Sequence, residues 1–169
     1  MRYRKIHILG AAGSGKTYVA AKLSEAYGIP VYDLDDLFWD NRAGGYGVMA
    51  DADERDEALE DIIERDAWIV EGAYCRWVFR SFEEADIVII LSTPRWRREW
   101  RILVRFLKRK LRLIPKKKRE TLLSLWRLLK WNHQYEVHSL PFARTFLEIL
   151  QRKAVECRTL EDVFHALEN

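Results

Sequence analysis

Cysteine is scarce in this chain of 169 residues: Cys75 and Cys157 stand alone, in no CxxC pair and beside no histidine cluster. That leaves no basis for a disulfide framework or a zinc ribbon. Four prolines and eight glycines are too few for a low-complexity or collagen-like chain, and no internal repeat is present. The longest apolar run, Ile87 to Leu91, has five residues. A membrane-spanning helix needs about 20. Behind Arg2, Arg4 and Lys5 only Ile6 to Leu9 is apolar before glycine, too short for the core of a secretory signal. These absences point to a cytoplasmic protein with no membrane partner.

What remains is 49% hydrophobic and 33% charged, the profile of one globular domain over residues 1–169. The net charge of +3 is unevenly spread. Arg95 to Arg119 holds 13 Lys or Arg against the single acid Glu99, a local +12, which leaves the rest of the chain at −9. A positive segment on an acidic body points to an anionic ligand at one place.

Short apolar runs alternate with helical patterns. Ile6 to Leu9, Val31 to Tyr32, Trp68 to Val70, Ile87 to Leu91 and Ala154 to Cys157 read as five strands of a parallel sheet with helices on both faces, a three-layer α/β/α sandwich. Gly28 and Pro30 end a first helix from Thr17 to Tyr27. Thr159 and Asp162 open the last one with a capping pattern. Trp96, Trp100, Leu103, Leu107, Leu111 and Ile114 recur at steps of three and four, which predicts a basic helix ending before Pro115, its tryptophans packed inward and its arginines outward. After a turn at Lys116 to Arg119, a second helix from about Glu120 to Tyr135 would complete a helical hairpin inserted at about 94–140.

Gly10-Ala11-Ala12-Gly13-Ser14-Gly15-Lys16-Thr17 fits GxxxxGK[ST] directly after the first strand. Glycines let the backbone curl so that N–H groups meet phosphate oxygens, and the helix beginning near Lys16 adds its positive end. Lys16 would reach the β and γ phosphates of ATP, Thr17 would hold Mg²⁺, and Tyr18 follows them into the nucleotide site. A second glycine-rich stretch, Gly44 to Gly47, lacks a lysine and reads as a loop.

No NKxD element for guanine is present, and Ile87 to Leu91 runs into Ser92 rather than an acid. Acids end two other strands. Asp33 and Asp35 follow Tyr32, on one face if the strand continues; one would hold Mg²⁺, here Asp33, and Asp35 would orient or deprotonate an acceptor hydroxyl. Glu71 and Gly72 end the third strand, Glu71 open to metal or acceptor and Gly72 to close backbone approach, with Arg76 just beyond as a further acceptor ligand. Arg97, Arg101 and Arg105 share one helical face, which suits a lid that supplies positive charge to a transferring phosphoryl group.

These residues resemble the adenylate-kinase-like nucleotide and small-molecule kinases, and most closely the bacterial DNA topology modulation protein, FlaR-related, group. The likeness is carried by the phosphate loop, Leu34-Asp35-Asp36-Leu37-Phe38-Trp39, Trp68-Ile69-Val70-Glu71-Gly72-Ala73-Tyr74, Ala85-Asp86 and Pro94-Arg95-Trp96. Glu71 and Ala73 depart from the group's Asp and Asn, and the DGFPR element of true adenylate kinases is absent. The resemblance implies the P-loop nucleoside triphosphate hydrolase fold with strand order 2-3-1-4-5, lid roles for Arg101 and Arg105 at seven and eleven residues after Pro94, and adenine near Arg158.

The reading that follows is an ATP- and Mg²⁺-dependent phosphotransferase with a nucleotide or other small hydroxyl compound as acceptor. The alternative is a nucleic-acid-binding regulatory ATPase whose helix over 95–119 grips the phosphate backbone. Tryptophans buried under that helix would count against it.

Overall fold

The computed structural model describes residues 2–40, 48–111, 121–151 and 153–168. The Gly44 to Gly47 loop, the expected helix end at Ile114 and Pro115 and the Lys116 to Arg119 turn lie outside them.

Five parallel strands, β1 (Lys5–Leu9), β2 (Val31–Asp33), β3 (Trp68–Gly72), β4 (Ile87–Leu91) and β5 (Ala154–Cys157), lie in the order β2-β3-β1-β4-β5. Alternation along each strand divides the core. Ile6, Ile8, Ile69, Ile87 and Ile89 meet α1 (Lys16–Tyr27) and α8 (Leu160–Glu168) on one face. Trp68, Val70, Val88 and Ile90 meet α3 (Ala52–Ile63), α4 (Phe79–Glu84) and α7 (Leu140–Ile149) on the other. This is the three-layer α/β/α sandwich expected from the sequence, with helices on both faces of the sheet. His7, on β1, is buried and held by Ser81 Oγ at 2.9 Å. Burial pushes its pKa down to about 3, so it packs as a neutral ring.

Local chemistry sets several boundaries. Gly28 closes α1 at φ 68° in the left-handed region and donates its N–H to the Ser24 carbonyl. Asp162 and Thr159 bond reciprocally across the first turn of α8. The second strand does not continue past Asp33: Leu34–Phe38 turns into a short helix, α2, with Asp33 as its cap. Asp33 and Asp35 therefore do not share a strand face.

The basic helix, α5 (Arg95–Lys110), is present but turned the other way from the expectation. Its buried side is Arg98, Ile102 and Phe106, while Trp96, Trp100, Leu107 and Leu111 face solvent. Two long-range ties decide this. The Arg98 guanidinium is buried and donates to Glu136 Oε2 at 2.8 Å, and Arg95 meets His133 at 2.9 Å. Four of the residues expected to pack inward are thus outside, with Leu103 half-buried, and the objection to nucleic-acid binding that rested on buried tryptophans falls. The second hairpin helix, α6 (Leu122–Gln134), does not stop near Tyr135. It runs through a π-helical turn, Tyr135–Ser139, into α7, whose Leu140, Ala143 and Leu147 reach the core.

Candidate active site

Residues 10–15 leave β1 and wrap over the start of α1. Gly13 and Gly15 have φ of 77° and 99°, a region that favours glycine. At Gly13 space forbids a side chain as well: a Cβ would lie 2.6 Å from the Arg98 carbonyl oxygen at the start of α5. Thr93 Oγ1 and Arg101 Nη1 donate to the Ser14 carbonyl at 3.0 and 2.9 Å, and Arg101 reaches the Gly13 carbonyl at 3.2 Å. With the Ser14 carbonyl held towards α5, the planar peptide turns the Gly15 N–H the opposite way. Gly15 caps α1 without a side-chain bond, so the positive end of that helix faces the loop.

Beneath the loop lies Glu71. It has the parity of Ile69 on β3, which points it to the α1 side, and it is fully buried. Thr17 Oγ1 donates to its Oε1 at 2.5 Å and Lys16 Nζ stands 3.7 Å from its Oε2, an oxygen with no hydrogen-bond donor. Burial raises the Glu71 pKa above the ordinary carboxylate value, Lys16 opposes the shift, and Asp33 and Asp35 reinforce it. An acid ending an apolar strand beside the phosphate-loop strand is thus present, on β3 and not on β4.

Asp33 pairs with Glu71 across β2 and β3. Its Oδ1 accepts the Asp35 N–H at 2.9 Å, and burial raises its pKa. Asp35 is exposed at the crevice, and Tyr74 O–H donates to its Oδ1 at 2.6 Å. Behind Tyr74 stand aromatic residues that the sequence reading passed over. Phe38 stacks on Tyr74 at 4.6 Å between centroids, Trp77 lies 5.5 Å from Tyr74, and Arg55 of α3 covers Trp77 at 4.5 Å. The clue was the spacing of aromatics around Asp35 and Gly72, legible only once β2 and β3 are paired.

Arg101 is at the loop, and Arg105 lies one turn further along α5. Gly10 donates its N–H to the Gly72 carbonyl at 3.1 Å, and Ala11 accepts from the Ser14 N–H. Ala12 stands in the same bend, and Tyr18 is exposed on the first turn of α1. Arg158 is exposed just past β5. Arg76 is exposed, and its guanidinium lies 5.6 Å from the Phe142 ring centroid. At Gly72 the space beside the backbone is taken by Leu34, whose Cδ1 would lie 2.7 Å from a Cβ. The close approach there is made by α2 and not by a ligand. Gly72→Ala is expected to displace Leu34 and α2 and to destabilise the chain by about 1–3 kcal/mol, read as a lower urea midpoint.

Among the described residues no three His, Cys, Asp or Glu converge into a metal cage. The oxygens present, the Thr17 hydroxyl with the undonated Oε2 of Glu71 behind it and Asp33 nearby, fit Mg²⁺ that arrives with phosphates and water as most of its ligands.

No family model matches the chain. A curated relative, "Uncharacterized protein YqaC" of Bacillus subtilis (strain 168), is 32% identical over 92 residues, 54% of this chain, and the match spans only half of the relative's length. The shikimate kinase of Bacteroides thetaiotaomicron superposes with a TM-score of 0.64 over 99% of both chains at 14% identity. That of Acinetobacter baumannii, in complex with shikimate, gives 0.60 over 97% of this chain and 90% of its own at 16% identity. A gluconokinase of Sinorhizobium meliloti 1021 gives 0.54 over 94% and 86% at 19%. Together with the strand order and the loop geometry, these likenesses give the chain the P-loop fold found in shikimate kinases.

Proposed function

We propose that this chain is a phosphotransferase that uses Mg²⁺ and ATP to phosphorylate a hydroxyl of a small molecule. The observation that carries the reading is the placement of Lys16, Thr17 and Glu71 under the loop with Asp35 in the first turn of α2, just past the end of β2. Shikimate kinase and gluconokinase on the same fold name small hydroxylated acceptors, which supports an acceptor of that size. When bound, Mg²⁺ would offset the phosphate charge as the phosphoryl group moves. Lys16 and the loop amides hold the β and γ phosphates. Glu71 fixes the Thr17 hydroxyl through the 2.5 Å bond and leaves its oxygen lone pairs for the metal.

Asp35 is placed to take the acceptor's proton, and Tyr74 fixes the orientation of its carboxylate. Phe38, Tyr74 and Trp77 offer an apolar wall against which a ring could lie. Arg101 already touches the loop and supplies positive charge on the lid side, with Arg105 beyond it. Residues 1–169 act in this reading as one cytoplasmic P-loop kinase-like unit, with 94–140 as its lid. Kinship with the FlaR-related group is part of the same proposal, supported by the phosphate loop and the sequence elements at 34–39, 68–74, 85–86 and 94–96.

The test is ADP release from Mg-ATP with a panel of nucleoside monophosphates, nucleosides, sugars and small hydroxy acids. Stimulation by one acceptor that disappears in Lys16→Ala is the expected result. A flat panel with tight ATP binding would overturn the phosphotransferase.

A further inference from the structure

Trp96, Trp100 and Leu107 of α5 and Leu111 at its C-terminal cap are 66%, 65%, 54% and 67% exposed. At about 100° per residue they fall in a wedge about 60° wide, roughly 150° round the helix from the buried Arg98, Ile102 and Phe106. The stripe is about 22 Å long at 1.5 Å per residue. Leu122, Leu123 and Trp126 of α6 are exposed as well. Folded monomers rarely leave such an apolar face bare unless something covers it.

Charge identifies the occupant. Helix α5 carries eight Lys or Arg against Glu99 alone, a net of +7, and all of the eight except Arg98 lie at least partly in solvent. The Arg97 guanidinium lies 5.1 Å from the Trp96 ring centroid, and the Lys130 ammonium 5.4 Å from that of Trp126. We propose that the outer face of α5 seats on an anionic lipid surface. Tryptophan and leucine enter the boundary between headgroups and acyl chains, and the flanking cations meet lipid phosphates.

A second copy of the chain fits poorly, because self-association through this face brings two +7 helices together. A single-stranded nucleic acid would use the indoles as stacking platforms but leave Leu107 and Leu111 in water. Arg101 meets the phosphate loop from a different side of the helix, so docking leaves the candidate active site open. The inference does not depend on the phosphotransferase reading.

The experiment is flotation of the full chain with vesicles of phosphatidylcholine alone and of phosphatidylcholine mixed with phosphatidylglycerol. The chain is expected to rise with the anionic vesicles only, with its tryptophan emission shifted to the blue and quenched by brominated acyl chains. Trp96→Ser/Trp100→Ser should lower the partition coefficient by about tenfold or more, with ATP binding unchanged as the control for folding. Should that variant misfold, Lys108→Gln/Lys110→Gln is expected to weaken the anionic binding instead. Failure to float with anionic vesicles, or flotation indifferent to both variants, overturns the proposal. So does a lipid-free dimer, or a salt-sensitive oligonucleotide complex, that the tryptophan variant abolishes while vesicles are not bound.

Discussion

Lys16→Ala is expected to cut acceptor-dependent ADP release by about 10³-fold, because the group that reaches the β and γ phosphates is the one removed. The same substitution should also expose the electrostatics of the buried carboxylate. Lys16 is the leading influence that opposes the raised pKa of Glu71; without it Glu71 holds its proton still more readily. A buried acid whose folded pKa exceeds its unfolded one contributes stability that is complete below the unfolded value and is lost as pH rises through the folded one. Lys16→Ala should therefore be less stable than the parent chain at pH 7 and approach it towards pH 4. Adding Glu71→Gln should restore the neutral-pH stability without restoring activity. Chemical denaturation at the two pH values, run beside the ADP assay, separates loss of chemistry from loss of fold.

Glu71→Gln alone is expected to move stability and activity in opposite directions. The amide cannot ionise, so the stability that the carboxyl loses above its ordinary pKa of 4.5 is retained, and the variant's unfolding midpoint should exceed the parent's at pH 7 and converge with it at acid pH. Activity should fall by about 10–100-fold, as is usual when a group that orients a metal-holding hydroxyl is altered. The apparent Mg²⁺ requirement should rise with it. A variant as active as the parent would remove Glu71 from the site chemistry and leave it as a buried partner of Lys16.

The phosphate loop was legible in full because its signals are local: Gly13 and Gly15 stand where the backbone has positive φ, and Lys16 opens the helix. The strands were legible too, from short apolar runs bounded by turn residues. Glu71 was visible as an acid at a strand end, but its link to Thr17 spans 54 positions and depends on β3 lying beside β1. Spacing along one strand cannot give that neighbour. The orientation of α5 misled for a related reason. A periodic stripe of Trp and Leu looks the same whether it meets a core or solvent, and the deciding contact, buried Arg98 with Glu136, joins residues 38 apart. Phe38 of α2, Arg55 of α3 and the Tyr74 and Trp77 pair after β3 form a wall only after folding.

The π-helical turn explains why α7 is hard to read from periodicity. The Leu140 N–H donates to the carbonyl of Tyr135, five residues back, and both residues are buried. In an uninterrupted α-helix, positions five apart point about 140° away from each other. The wider turn takes up one additional residue, so the inward faces of α6 and α7 line up although their sequence patterns are out of phase. It works as a phase shifter between the hairpin and the body. Shortening 135–139 by one residue would rotate one of the two helices by about 100° relative to the other. Either Leu140, Ala143 and Leu147 would leave the core or Glu136 would turn away from Arg98, so length in this segment is constrained more tightly than composition.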